Sequence, residues 1–113
     1  MSSSAYSLTA IIPAAGFEVT KGEPVIGGLH GADQHHYFCA HCMTWMFTKI
    51  DGIDFFVNVR PTLFDDTSWF HPYMETYIST KLPFAETGAL KSFDQFPQMD
   101  EFEGLMKGYA EWA

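Results

Sequence analysis

The chain has 113 residues, of which 47% are hydrophobic, 17% aromatic and only 18% charged. That balance excludes a disordered segment and supplies one core for a single domain over residues 1–113. Six Lys plus Arg against 14 Asp plus Glu give a formal net charge of −8, which argues against binding nucleic acid or an anionic membrane surface, since both need clustered cations.

The amino terminus, Met-Ser-Ser-Ser-Ala-Tyr, lacks the basic start and long apolar centre of a signal peptide. No apolar run approaches the roughly 20 residues that span a bilayer. A cytoplasmic protein is expected. Two cysteines spaced C-x-x-C then suggest metal or redox chemistry more than a structural disulfide.

In chain order, Tyr6 to Ile12 alternates Tyr6, Leu8, Ala10 and Ile12 on one face, the period of a strand. It ends at the Pro13–Gly16 turn, and Phe17 to Thr20 reads as a short strand closed by Lys21-Gly22-Glu23-Pro24. Val25 to Leu29 and His35 to Cys39 are two further strands bridged by Gly31-Ala32-Asp33. Trp45 to Ile50 and Ile53 to Val59 form a hairpin about Asp51-Gly52, a dipeptide suited to two-residue turns because Gly accepts positive φ. Pro61 to Pro72 reads as irregular, Glu75 to Ser79 as a strand, and residues 80–97, with Pro83, Gly88 and Pro97, as packed loop. Asp100 to about Trp112 is the one helix, with Phe102, Leu105, Met106 and Tyr109 on one face and Asp100/Glu103 at capping-box spacing. The fold class expected is mainly β with one C-terminal α-helix.

Chemistry concentrates in His35-His36-Tyr37-Phe38-Cys39-Ala40-His41-Cys42-Met43-Thr44-Trp45-Met46-Phe47. Two thiolates two residues apart on a strand-to-strand turn can face one ion, as in zinc knuckles. Two ordinary buried thiols are the plain alternative, because Cys packs well as a small hydrophobe. A redox pair is the rival; it prefers a helix start at its first Cys, whereas residues 43–47 read as strand. Asp65, Asp66 and Glu75 would be candidate acid–base carboxylates, but adjacent turn acids rarely face one another. Arg60 has the planar fork that binds carboxylates, with an ion pair as its ordinary role, and Lys81 is similarly placed. Trp45, Trp69, Phe70 and Tyr73 would line a groove or simply fill the core.

The segment HHYFCAHCMTWMF resembles the R/H-x-F-C-x-x-C-G-T-x-x-F stretch of the glutathione-dependent formaldehyde-activating (GFA, or CENP-V/GFA) family. SAYSLTAIIPAAGFEVTKGEP, VNVRPTLFDD and YISTKLPF are similar to that family's other strands and turns, in the same order, over most of residues 3–97. The resemblance implies an Mss4-like β fold and a zinc-dependent carbon–sulfur lyase acting on glutathione–formaldehyde or similar thiol adducts. It also implies a structural zinc held by an upstream C-x-C pair together with the pair matching Cys39 and Cys42, and a catalytic zinc held by an upstream C-x-C-x-x-C cluster. This chain begins at the strand after those cysteines, so a domain shortened at its N-terminus, with Met1 as an internal start, is expected. Met43 stands where the family usually has glycine.

The ligand count follows. A closed zinc site takes four protein ligands and a catalytic one typically three plus water. Cys39 and Cys42 supply two. Among His30, His35, His36 and His41, strand parity puts His35 on the face of Cys39 and His36 opposite, so His35 is the best-placed third ligand; an exposed or hydrogen-bonded side chain is the ordinary role of each. The chain is therefore expected to hold half of a structural zinc site and to lack the lyase activity as it stands. A self-associating, non-catalytic β domain that pools thiolates in a dimer, or a Cys39/Cys42 thiol–disulfide switch, are the alternatives.

Overall fold

Asp51-Gly52 folds as its chemistry requires, with Gly52 at φ +81°, and the two strands it joins have the boundaries expected of them. In the computed structural model, which describes residues 4–28 and 31–113, the chain divides into two compact units meeting at Trp69/Phe70. The first contains β1 (Ala10–Pro13), β2 (Val25–Gly27), β3 (Gln34–Phe38), β4 (Trp45–Ile50) and β5 (Ile53–Val59). They form one antiparallel sheet in the order β1-β5-β4-β3-β2.

Cross-strand register builds the core. Phe47 stands opposite both Tyr37 and Val59, and Ile12 opposite Val57. Phe47, Val57 and Val59 are buried, with Ala10, Ile12, Phe17 and Met46 packed on them. The Phe47 ring stacks on Tyr37 at 4.7 Å and meets the edge of Phe17 at 4.8 Å; such ring pairs add about 0.5–1.5 kcal/mol beyond their area. His36, Thr48 and Phe56 are buried as well, so the central strands bury residues of both parities.

Of the expected strands at the start of this unit, one is shorter than its periodicity suggests and one is absent. β1 begins at Ala10 because Ala10 faces Val59, the last residue of β5. Beyond it the chain breaks into a 3-10 turn at Pro61–Leu63, so Tyr6 to Thr9 has no ladder to join. Phe17 to Thr20 forms no strand; Phe17 instead turns its ring onto Phe47 after the 3-10 turn Ala14–Gly16. Leu29 and His30, the end of the third expected strand and one expected ligand, lie outside the described residues.

The second unit holds β6 (Met74–Glu75), β7 (Lys91–Ser92) and α1 (Phe102–Trp112). β6 and β7 pair in parallel, a pairing absent from the sequence reading. The expected strand over 75–79 stops early because Tyr77 takes a left-handed conformation, φ +56°, and Ile78–Thr80 winds into a 3-10 turn. The helix cap also moves: Glu101, not Glu103, reaches back, its Oε2 accepting from the Gln98 N–H at 2.8 Å. Phe102 is buried and Leu105 and Tyr109 half-buried, whereas Met106 of the expected face is exposed. Tyr73 packs its ring on Tyr109 at 5.8 Å and Trp112 at 5.3 Å. Mainly β structure with one C-terminal helix is the fold class expected. No helix among the described residues is long and apolar enough to cross a membrane.

Candidate functional site

The cysteines lie on the turn between β3 and β4. The Cys39 N–H donates to the Thr44 carbonyl at 2.9 Å, and the Met43 N–H to the Cys39 carbonyl at 2.8 Å. Closing that loop in so few residues demands one left-handed residue, and Met43 supplies it at φ +61°. For a residue with a Cβ this conformation costs roughly 1–2 kcal/mol, which is why glycine suits the position. A register shift between Tyr37 and Phe38, where β3 meets β4, twists the strands as they enter the turn.

Both cysteines are free thiols, Cys42 exposed and Cys39 half-buried. Cys42 Sγ lies 3.1 Å from Thr44 Oγ1. Hydrogen bonds from the Thr44 side chain and backbone, and then from Cys39, hold the Cys42 thiol below its ordinary pKa, because a donor stabilises the thiolate. The sequence puts Thr two residues beyond Cys42, so this partner was within reach of a local reading.

Cys39 also borders a cleft of about 530 Å³ whose walls include Ile12, Phe17, Phe47, Leu63 and Phe64, with Lys21, Glu23 and Arg60 among its lining residues. The Arg60 guanidinium lies over the Trp45 ring at 4.1 Å. Its Nε is buried without a hydrogen-bond partner, and burial pulls its pKa down. Among the described residues it makes no ion pair with a carboxylate, contrary to its ordinary role. Trp45 is itself anchored, its Nε1–H donating to Thr48 Oγ1 at 3.0 Å.

The histidines are dispersed. His35 Nε2 meets both carboxylate oxygens of Asp51 at 3.1 Å, about 13 Å along the strand from Cys39 at the usual rise per residue. A second hollow of about 500 Å³ contains that pair. Sequence periodicity gave no sign of it, because Asp51 enters the reading only as a turn former. His36 is buried, its Nδ1 2.7 Å from Thr48 Oγ1, and His41 is exposed on the cysteine turn. Asp66 accepts from the backbone N–H and the hydroxyl of Ser68 at 2.9 and 2.6 Å, which lowers its pKa. Glu75 accepts from the Thr87 and Ser92 hydroxyls. Asp66 is thus held in a local turn, and Glu75 by hydroxyls 12 and 17 residues further along the chain.

A family model described as glutathione-dependent formaldehyde-activating enzyme matches residues 1–80. The chain belongs to that family. A search of curated proteins and a search of solved structures gave no match. The matched GFA region holds the cysteine turn and the cleft beside it, while α1 lies beyond it. Zinc needs three or four protein ligands, and among the described residues no group of three or more His, Cys, Asp or Glu is placed to hold a metal ion. Within one GFA chain, then, the described donors do not close a zinc site.

Proposed function

We propose that this GFA-family chain is a thiol-handling module whose Cys39–Cys42 turn is a zinc half-site, and that these 113 residues alone do not catalyse carbon–sulfur lyase chemistry. The observation that carries this reading is the donor count: two adjacent sulfurs and, among the described residues, no third ligand. Three protein ligands and an open position are what a zinc ion needs to activate a thiol or polarise an oxygen. A glutathione-type thiol adduct is the ligand class that the family suggests, with the apolar cleft beside Cys39 as its place. A cytoplasmic setting goes with the reading, since it keeps both thiols reduced. The test mixes glutathione and formaldehyde with the purified chain, with and without added zinc, and follows adduct formation. The uncatalysed rate is expected in every mixture; metal-dependent turnover by these residues would overturn the reading.

A second reading is a thiol–disulfide switch, favoured by the position of both free thiols on one exposed turn. In it a small-molecule disulfide accepts two electrons and two protons, Cys39 and Cys42 become joined, and two small thiols leave. Its signature is fast alkylation of the reduced chain that is lost on treatment with that disulfide. Slow alkylation of both cysteines at neutral pH would remove it.

A further inference from the structure

A guanidinium drawn out of water needs a counter-charge, and the described residues put no carboxylate within ion-pair distance of Arg60. We infer that the cleft bordered by Cys39 binds small molecules that carry a carboxylate on an apolar body, with Arg60 as the residue that selects the carboxylate. The inference goes beyond the thiol reading: it shares that reading's cleft and requires no sulfur in the ligand.

Charge is the first support. Glu18, Lys21 and Glu23 of the cleft lining are exposed and keep their hydration, whereas Arg60 is half-buried and its Nε has no hydrogen-bond partner. A carboxylate offsets that desolvation, because its two oxygens match two parallel N–H groups of the planar fork. Placement is the second. The Arg60 N–H donates to the Met46 carbonyl and its own carbonyl accepts from the Leu63 N–H, both at 3.1 Å, and the next residue, Pro61, is fully buried. The guanidinium lies 4.1 Å over the Trp45 ring, which Thr48 holds through the indole N–H. The cation is thus fixed before a ligand arrives, which lowers the ordering cost of binding. Shape is the third. The cleft's volume of about 530 Å³ falls within the roughly 300–1,000 Å³ of small-molecule sites. Leu63 and Phe64 of its wall are 50% and 43% exposed, apolar surface that an apolar body would take out of water. The net charge of −8 repels anions in general, so capture of a carboxylate here is a property of the cleft.

The test titrates the reduced full chain with phenylbutanoate, its neutral amide, acetate and glutathione, and follows the backbone amide signals by two-dimensional NMR. Phenylbutanoate is expected to shift Arg60, Leu63 and Phe64 and to bind roughly 10–100-fold more tightly than the amide, the worth of hydrogen bonds between charged groups. Acetate, without an apolar body, should leave those signals in place. Arg60→Gln should bring the acid down to the affinity of the amide, and Arg60→Lys should keep part of the difference, because it retains the charge and loses the fork; circular dichroism checks both folds. The comparison of acid with amide uses the unaltered chain and decides the matter even where a variant fails to fold. Equal binding of the two, binding of neither, shifts confined to residues outside the cleft, or full affinity in folded Arg60→Gln would each overturn the inference. Glutathione that binds where phenylbutanoate does not would overturn it while leaving the thiol reading intact. Phenylbutanoate that binds in the cleft and is not displaced by glutathione would uphold it and remove the cleft from the thiol reading.

Discussion

Met43 and Glu75 show how much a single position decides here. Met43 takes a left-handed backbone, and its side chain is 58% exposed, so glycine there removes strain and forfeits little packing. Met43→Gly is expected to raise stability by about 1 kcal/mol, measured by urea denaturation; a loss of stability would show that the methionine side chain contributes more than its exposure suggests. Glu75 accepts from Thr87 at 2.5 Å and Ser92 at 2.8 Å. Those hydrogen bonds, with a smaller contribution from the charge of Lys81, lower its pKa. A lowered folded pKa means stabilisation that is present above the ordinary glutamate value and fades as pH falls through the folded one. Thermal melts from about pH 7 to pH 3 should therefore show the native chain losing its advantage over Glu75→Gln only in acid. A constant difference between the two would contradict the assignment.

At the scale of elements, α1 carries two glycines with opposite surroundings. A Cβ at Gly104 meets open space, whereas one at Gly108 would strike the Tyr73 hydroxyl, on a buried ring packed against Tyr109 and Trp112. Alanine gains about 1 kcal/mol over glycine in a helix interior. Gly104→Ala should realise most of that gain in thermal denaturation. Gly108→Ala should instead destabilise by roughly 1–3 kcal/mol, the usual cost of overpacking. Equal effects at the two positions would mean that Tyr73 does not define the helix seat. The sheet follows the same logic of partners: β4 and β5 extend as far as their pattern because each has neighbours on both sides, and β1 stops where β5 stops.

For the molecule as a whole, the net charge of −8 opposes the meeting of two copies, while the cysteine turn borders a cleft of mixed charge. Repulsion between distant charges is screened over about 10 Å at 0.1 M salt. Any association of two copies is accordingly expected to tighten as salt rises from about 0.01 M to 0.15 M, read by sedimentation. Weakening over that range would mean that attraction between opposite charges outweighs the repulsion of the net charge.

Residue order alone determined the β4–β5 hairpin, the terminal helix, the cysteine turn and the family, because each is written in neighbours: Asp51-Gly52, an i, i+3, i+7 stripe, C-x-x-C. Tertiary structure decided everything that depends on a partner distant in the chain. Alternation makes Tyr6 to Thr9 fit to be a strand, but a strand exists only against a ladder, and Pro61 withdraws it. Parity offers His35 to the cysteines, yet the hairpin turn brings Asp51 to its ring first. Arg60 could have been one more ion-paired surface cation, until the register of β4 and β5 laid it over Trp45 with a buried, unpartnered Nε.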